Sequence, residues 1–529
     1  MGALQEYTPT RTTRAEFAVL VSGITSMGLE ILAGRVVAPE FGSSIYTWGS
    51  IIGIFLAALS LGYWRGGRRA AEDASYGKLT ALLLGAALYV ALLIVASDLL
   101  LQATSVVPVP ARFAPLLPVT VLFGPPTYLL GVISPYAAEL SGKEGTGEAS
   151  GHVYALGTVG SIVGAFATTF LLVPTLSIQH TWLLFGSVLL LGAVRVGGPD
   201  LTGDGLVAVV VAFVLLVAAV AVGPLGAGLG GDVVYQTQTP YQELRVVDDG
   251  GTRTLYLDGQ PHSAMDLDDP DRHVFDYTRY FHLPLLMTDD VDRVLFVGGG
   301  GFTGPKIFAE EYDATVDVVE IDPEVVRVAK EYFGVEEGPG LNIYVEDGRR
   351  FLRDTDREYD LIVLDAYKKD KVPFQLTTVE FMRLAEQRLS SDGVLLANVI
   401  SAPSGSGSEF YRAEYRTMSR VFPHVYSFRT SASGFVQNIE LVATKRADPL
   451  TEAELRRRNR ERDIGYDMGH EIGFYDREVQ PGDVPVLRDD RAPVDQLLDP
   501  MVGRKYVIEQ TGADNASDRE TPTQRLVGG

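Results

Sequence analysis

The chain has 529 residues, with 67 acidic against 45 basic side chains and no cysteine. That length calls for two or three domains, and the lack of cysteine excludes disulfides, thiolate metal sites and a cysteine nucleophile in one step. A formal charge of −22 argues against a nucleic-acid partner, whose phosphates need a basic surface. The excess is uneven: residues 1–230 hold 12 acids and 10 bases, the remainder 55 and 35. Arginine outnumbers lysine 36 to 9. Such a composition suits a halophile's protein, soluble in high salt; the plainer reading is an acidic domain with an acidic tail.

In chain order, residues 1–230 form a succession of apolar runs long enough to cross hydrocarbon. They lie near 16–38, 45–64, 79–100, 115–138, 152–174, 178–197 and 205–228. Gly and Pro interrupt them, as in GTVGSIVGAF (157–166) and GPPTYLLGVISP (124–135), which is common in membrane helices. The first run is long, lacks a small-residue cleavage signature and is followed by further spans, so a multi-pass membrane domain of about seven helices is predicted, not a signal peptide. The basic loop RGGRRAAEDASYGK (65–78), with Arg11 and Arg14, places the N-terminus in the cytoplasm. Seven crossings from there would leave the second half outside, away from a cytosolic cofactor. One span, within 98–138 or 178–228, is therefore expected not to cross. Glu30 and Arg35 lie in or at the end of the first span, either on a solute path or as a pair at the membrane interface.

From Val233 the texture changes. YQELRVVDD (241–249), a Gly-Gly turn and TRTLYLDGQ (252–260) predict a β-hairpin within a small subdomain spanning 231–290. An α/β domain follows over 291–448. DRVLFVGGGG (292–301), TVDVVEID (315–322), NIYVEDGRRFL (342–352), YDLIVLDAY (359–367) and GVLLANVI (393–400) supply its strands. PEVVRVAKEYF (323–333) and TTVEFMRLAEQRL (377–389) supply helices between them. This alternation predicts a Rossmann-like, doubly wound parallel sheet covered on both faces. Residues 449–529 are a charged extension, with RRRNRERD (456–463) a solvated helix and the stretch from Thr511 to Gly529 expected to be disordered.

In an open parallel sheet the ligand lies beyond the carboxyl ends of the strands. Four features stand at such ends: the turn Gly298 to Gly301, then Glu320, Asp347 and Asp365. Glycines let backbone approach a ligand, and a carboxylate at the second strand can accept both hydroxyls of a ribose. Asp347 could meet an adenine amino group. An acid about 20 residues after the glycines and another about 27 later have the spacing of a nucleoside site. The alternative is that each acid caps the helix that follows. Asp266, Asp268, Asp269 and Asp271 read as a solvated turn, since they lack the Gly and terminal Glu of a calcium loop. No metal site is predicted.

Over roughly 233–400 the chain resembles the spermidine synthase (polyamine aminopropyltransferase) family. The likeness rests on PYQ (240–242), LDG (257–259), FVGGGG (296–301), VVEID (318–322), EDGRRFL (346–352), YDLIVLDA (359–366) and LTTVEF (376–381). The first half resembles the membrane domain fused to such enzymes, through FGSSIYTW (41–48), LGYWRGG (61–67) and VYALGTVGSIVGA (153–165), as does the later DDRAPVDQLL (489–498). The resemblance implies transfer of an aminopropyl group from decarboxylated S-adenosylmethionine to a diamine such as putrescine, releasing methylthioadenosine, without a metal. It implies that Gln242, Gly298, Gly299, Gly300, Glu320, Asp347 and Gly348 hold the nucleoside, that Asp365 is catalytic, and that Tyr277 and His282 line the amine pocket. The partners implied are a diamine, a nucleoside sulfonium and the lipid bilayer. The enzyme half would face the cytoplasm from a multi-pass anchor in the cell membrane, and the oligomeric state stays open.

Three positions depart from the family pattern. Gly301 stands where an Asp steadies the aminopropyl tail, Lys368 where a second catalytic-loop acid stands, and His262 where the LDG segment carries Gln. Lys368, Lys369 and Lys371 crowd beside Asp365, which raises three readings. The lysines point to solvent while Asp370 supplies the missing acid; or they grip a carboxylate of intact S-adenosylmethionine or of an anionic acceptor; or the half is a non-catalytic nucleoside-binding module of a transporter-like protein.

Overall fold

The computed structural model describes residues 13–41, 45–105, 109, 111–141, 146–198, 201, 203–222, 231–369, 371–477, 479–501, 504–511 and 523–525. The chain divides into two compact units, Met1–Leu229 and Gly230–Gly529.

The first unit contains α1 (Arg14–Phe41), α2 (Ile45–Asp73), α3 (Tyr76–Ser105), α4 (Leu116–Leu140), α5 (Thr146–Ala167), α6 (Ile178–Gly197) and α7 (Gly203–Val222). A π-turn at Thr168–Leu172 extends α5. Among the described residues, seven helices are long and apolar enough to cross a membrane. A capping box starts α1: Thr13 Oγ1 accepts the Glu16 amide at 3.1 Å, and Glu16 Oε2 accepts the Thr13 amide at 2.8 Å. Glycines let the helices touch backbone to backbone. A Cβ at Gly160 would lie 2.4 Å from the Leu20 carbonyl oxygen, and one at Gly164 2.2 Å from that of Ile24, so α5 can lie against α1 only because these side chains are absent. Glu30 and Arg35 sit half-buried within α1.

In the second unit β1 (Asp232–Gln238), β2 (Glu243–Asp249), β3 (Thr252–Leu257) and β4 (Gln260–Asp266) form an antiparallel sheet in that order. The predicted hairpin is its central pair, flanked by a strand on each side. Its turn needs Gly250 and Gly251, both at positive φ (57° and 83°). Beyond β4, Asp266 accepts the amides of Asp268 and Asp269 and pairs with Arg272 at 2.7 Å, so the acidic run closes on itself as a turn.

The larger sheet has eight strands. Its parallel part contains β5 (Arg293–Val297), β6 (Thr315–Glu320), β7 (Leu341–Val345), β8 (Tyr359–Leu364) and β9 (Leu389–Ser401). An antiparallel edge adds β10 (His424–Arg429), β11 (Gln437–Thr444) and β12 (Tyr475–Asp476), giving the order β12-β10-β11-β9-β8-β5-β6-β7. The sheet is thus mixed, a correction to the purely parallel prediction. The missed β11 reads QNIELVAT, whose polar residues disguise a strand buried on both faces. In the charged extension, helix Glu452–Glu461 covers most of the predicted helical stretch, and Met468, Ile472, Leu487, Leu497 and Tyr506 join the core. Of the stretch expected to be disordered, Thr523–Arg525 pairs with Ile508–Gln510, and 512–522 and 526–529 lie outside the described residues.

Strand order reverses between β5 and β8. In open α/β sheets this is where a crevice opens at the carboxyl ends. The Gly turn, Glu320 and Asp365 stand at the ends of β5, β6 and β8.

Candidate active site

β5 runs directly into the Gly turn. Gly298 has φ +98°, and a Cβ there would lie 2.3 Å from the carbonyl oxygen of Asp365. Only glycine lets the ends of β5 and β8 meet so closely. The Gly299 amide donates to Glu320 Oε2 at 3.0 Å, and the Asp322 amide to Oε1 at 2.9 Å. Each carboxylate oxygen is thereby fixed and keeps lone-pair capacity for a further donor. Burial raises the Glu320 carboxyl, and these amide bonds oppose the shift. Gln242 donates to Asp322 Oδ2 at 3.2 Å and Thr239 to the same oxygen at 2.6 Å. Asp322 also caps helix Pro323–Tyr332, so one aspartate ties Gln242 to the wall that carries Glu320. Its part was missed, although Asp-Pro at a helix start is a readable cap. Capping accounts for Asp347 as well, whose Oδ1 accepts the Arg350 amide at 2.9 Å, but not for Glu320.

These groups line a cleft that is partly open to solvent. Gln242, His262, Gly298, Gly300, Glu320, Asp347, Gly348, Asp365 and Lys368 all border it. Gly348 faces a further close approach, since its Cβ would lie 2.4 Å from Val297 Cγ1. Leu257, Val319, Ile321 and Leu376 give the cleft apolar walls.

A smaller inner chamber lies behind the Gly turn, lined by Ser263, Tyr277, Thr278, Phe281, Gly299 and Thr303 among others. Gly298 and Asp365 border both spaces. Burial pushes the Asp365 carboxyl up to about 6, while a 2.8 Å hydrogen bond from Asn398 Nδ2 opposes the shift. Asn398 Oδ1 accepts from Asn438 at 2.8 Å, and Asn438 Oδ1 from Tyr506 OH at 2.8 Å. Asp365 is therefore held by a relay reaching into the C-terminal extension. Tyr277 OH donates to the His262 carbonyl at 3.1 Å. His282 is elsewhere, a correction to the predicted pocket: Nδ1 meets Tyr312 OH at 2.6 Å and Nε2 meets His273 Nε2 at 2.9 Å, inside the core.

The lysines do not simply point to solvent. Lys368 Nζ pairs with Asp258 Oδ2 at 2.8 Å, both partly buried, tying the loop after β8 to the β3–β4 turn. Lys369 Nζ donates to the Arg504 carbonyl at 3.2 Å and Lys371 Nζ to that of Tyr241 at 3.4 Å. Asp370 lies outside the described residues. Burial, and then the Lys368 charge, push His262 down to about 4, against the pull of Asp258, so its ring is neutral at pH 7. At Gly301 the amide donates to Ser263 Oγ at 2.8 Å, and a Cβ would sit 2.8 Å from Ser263 Cβ. Ser263 thus fills the room an aspartate at 301 would need.

Residues 275–432 match the Spermine/spermidine synthase domain family. The polyamine aminopropyltransferase of Vibrio vulnificus is 31% identical over 206 residues, 37% of this chain and 67% of that protein. The polyamine aminopropyltransferase of Chromobacterium violaceum is 30% identical over 221 residues, 41% of this chain and 81% of that one. The crystal structure of spermidine synthase from Thermotoga maritima aligns with a TM-score of 0.39 at 20% identity, over 46% of this chain and 84% of that chain.

Proposed function

The chain belongs to the polyamine aminopropyltransferase (spermidine synthase) family, and from that premise we propose that it moves an aminopropyl group from decarboxylated S-adenosylmethionine to a diamine, from an enzyme unit anchored by its helices in the cell membrane. One observation carries the reading: Asp365 borders both the larger cleft and the inner chamber. A base at that boundary can serve an amine on one side and a sulfonium on the other.

The donor supplies a positively charged sulfur that activates the adjacent carbon. Glu320 offers its remaining lone pairs to the ribose hydroxyls, and Gln242, Asp347 and Gly348 bound the same wall. Asp365 takes one proton from the acceptor's ammonium. The lone pair so freed forms the new C–N bond, and the electrons of the broken C–S bond leave on sulfur. The Gly turn lets both reactants approach the strand ends closely, and positioning supplies the remaining rate.

The Lys368–Asp258 pair weighs against a carboxylate-bearing substrate, because the ammonium nearest Asp365 in sequence already has its anion. The enzyme unit faces the cytoplasm in this reading, which requires an even number of crossings from a cytoplasmic N-terminus; a reporter fused after residue 529 tests that side. Calorimetry with the full chain in detergent tests the donor. We expect the decarboxylated form to bind better than S-adenosylmethionine in the wild type and in Lys368→Ala. An advantage for S-adenosylmethionine that the variant loses would overturn the assignment.

A further inference from the structure

The sheet face carrying Asp365 continues past it. Asn398 on β9 stands opposite Glu440 on β11, and opposed residues in a ladder point to one face. Asn398 also binds Asp365, so Asp365, Asn398 and Glu440 form a row across three strands. Glu440 is fully buried, and neither of its carboxylate oxygens has a hydrogen-bond partner among the described residues. It is the one buried carboxylate there with both oxygens unmet. Its neighbours are satisfied: Asn398, Asn438 and Tyr506 bond in series, and Tyr280 OH donates to the Arg429 carbonyl at 2.9 Å. A buried carboxylate left in this state calls for a ligand.

We infer that Glu440 anchors the second ammonium of the amine acceptor and is the residue that makes the acceptor a diamine. This rests on reading the site as one of aminopropyl transfer. Tyr277, which lines the inner chamber with Asp365, feels the charges of both Asp365 and Glu440. Burial, then the Asp365 charge, hold the Glu440 carboxyl far above its ordinary range, and an arriving cation favours the charged form against both. The spacing fits as well. Two strand steps separate the acids, about 10 Å between Cα atoms, and an extended chain of a few methylenes sets two amines about 5–8 Å apart by ordinary bond lengths. Gly301 and Lys368 provide no anion for an ammonium at the front of the site, and Glu440 provides one at the back.

The test measures calorimetric affinity of the full chain in detergent, with methylthioadenosine present, for butane-1,4-diamine and for n-butylamine. The wild type should prefer the diamine at least 30-fold, and Glu440→Gln should shrink that ratio below 3-fold. Glu440→Leu is the second variant, in case the amide perturbs folding. It removes both unmet oxygens, so it should melt no lower than the wild type without ligand and should likewise lose the preference. A diamine preference that survives in either variant, or one absent from the wild type, overturns the inference. Failure of the functional reading shows separately: no methylthioadenosine would be released from the decarboxylated donor with any amine.

Discussion

Replacing Asp365 by Asn should abolish transfer and yet stabilise the protein, in a pH-dependent way. The carboxyl rises from its ordinary 3.8 to about 6 on folding, chiefly through burial. A raised carboxyl means the folded state holds its proton longer than the unfolded one. The associated stability is complete below pH 3.8 and is lost as pH rises through about 6. At 1.36 kcal/mol for each tenfold change in proton affinity, the loss at neutral pH is about 3 kcal/mol. Partial exposure at the cleft lets water screen some of this, leaving about 2 kcal/mol. Asn keeps an oxygen for the Asn398 amide and removes the charge. For a unit of this size the gain corresponds to a melting temperature higher by about 4 °C. Thermal unfolding of the wild type and Asp365→Asn in detergent, at pH 3.5 and pH 8, measures it. Equal offsets at both pH values, or a less stable variant at pH 8, would refute the reasoning, because the effect would then not come from a buried charge.

Other outcomes follow from the same geometry. The pH profile of kcat/KM should rise through about 6 and level off above 7, as the Asp365 base loses its proton. Asn398→Ala removes the bond that favours the charged form, so initial rates should show the midpoint shifted upward by about one pH unit. Burial drives His273 down to about 3 and His282 well below its ordinary value, so the stability tied to their neutral rings is present above 6.5 and is lost as pH falls. His273→Gln combined with His282→Phe should flatten that acid limb in near-UV circular dichroism between pH 6.5 and 4. In the membrane unit Gly164→Val should abolish folded yield in size-exclusion profiles, because a Cβ would lie 2.2 Å from the Ile24 carbonyl oxygen. Gly53→Val, with nothing within 4 Å, should leave the profile intact.

The Gly turn, Glu320 and Asp365 were legible because parallel strands are continuous apolar runs, and the first glycine or acid after each run marks its carboxyl end. The apolar helices were legible from length and hydropathy alone. Glu440 was not, because the mixed polarity of QNIELVAT looks like a solvated edge strand. Its burial belongs to the folded sheet, and its register opposite Asn398 sets the face it shares. Tyr506 was hidden for another reason: it sits in a charged stretch, and its link to Asn438 joins residues 68 apart. The lysine cluster was plain in sequence, but its partner Asp258 lies 110 residues from Lys368, and no local pattern connects them. Non-local pairing was what the sequence withheld.

The charge balance of the site explains how it could still favour cations. Glu320, Glu346, Asp347 and Asp365 border the cleft against Lys368 and Lys371, and Asp258 neutralises one of those two. The acidic, lysine-poor composition gives burial a further use. If the protein works in molar salt, the Debye length falls to about 3 Å and rim charges are screened, whereas a carboxylate enclosed by protein is not. An anchor at Glu440 then keeps its hold on an ammonium where an exposed pair would lose it. The affinity for butane-1,4-diamine should therefore change by less than about threefold between roughly 0.5 and 3 M salt. In Glu440→Gln, whatever attraction remains comes from the rim, and it should weaken steadily over the same range. A wild-type affinity that falls as steeply as the variant's would mean that the diamine is held by exposed charge and that Glu440 takes no part.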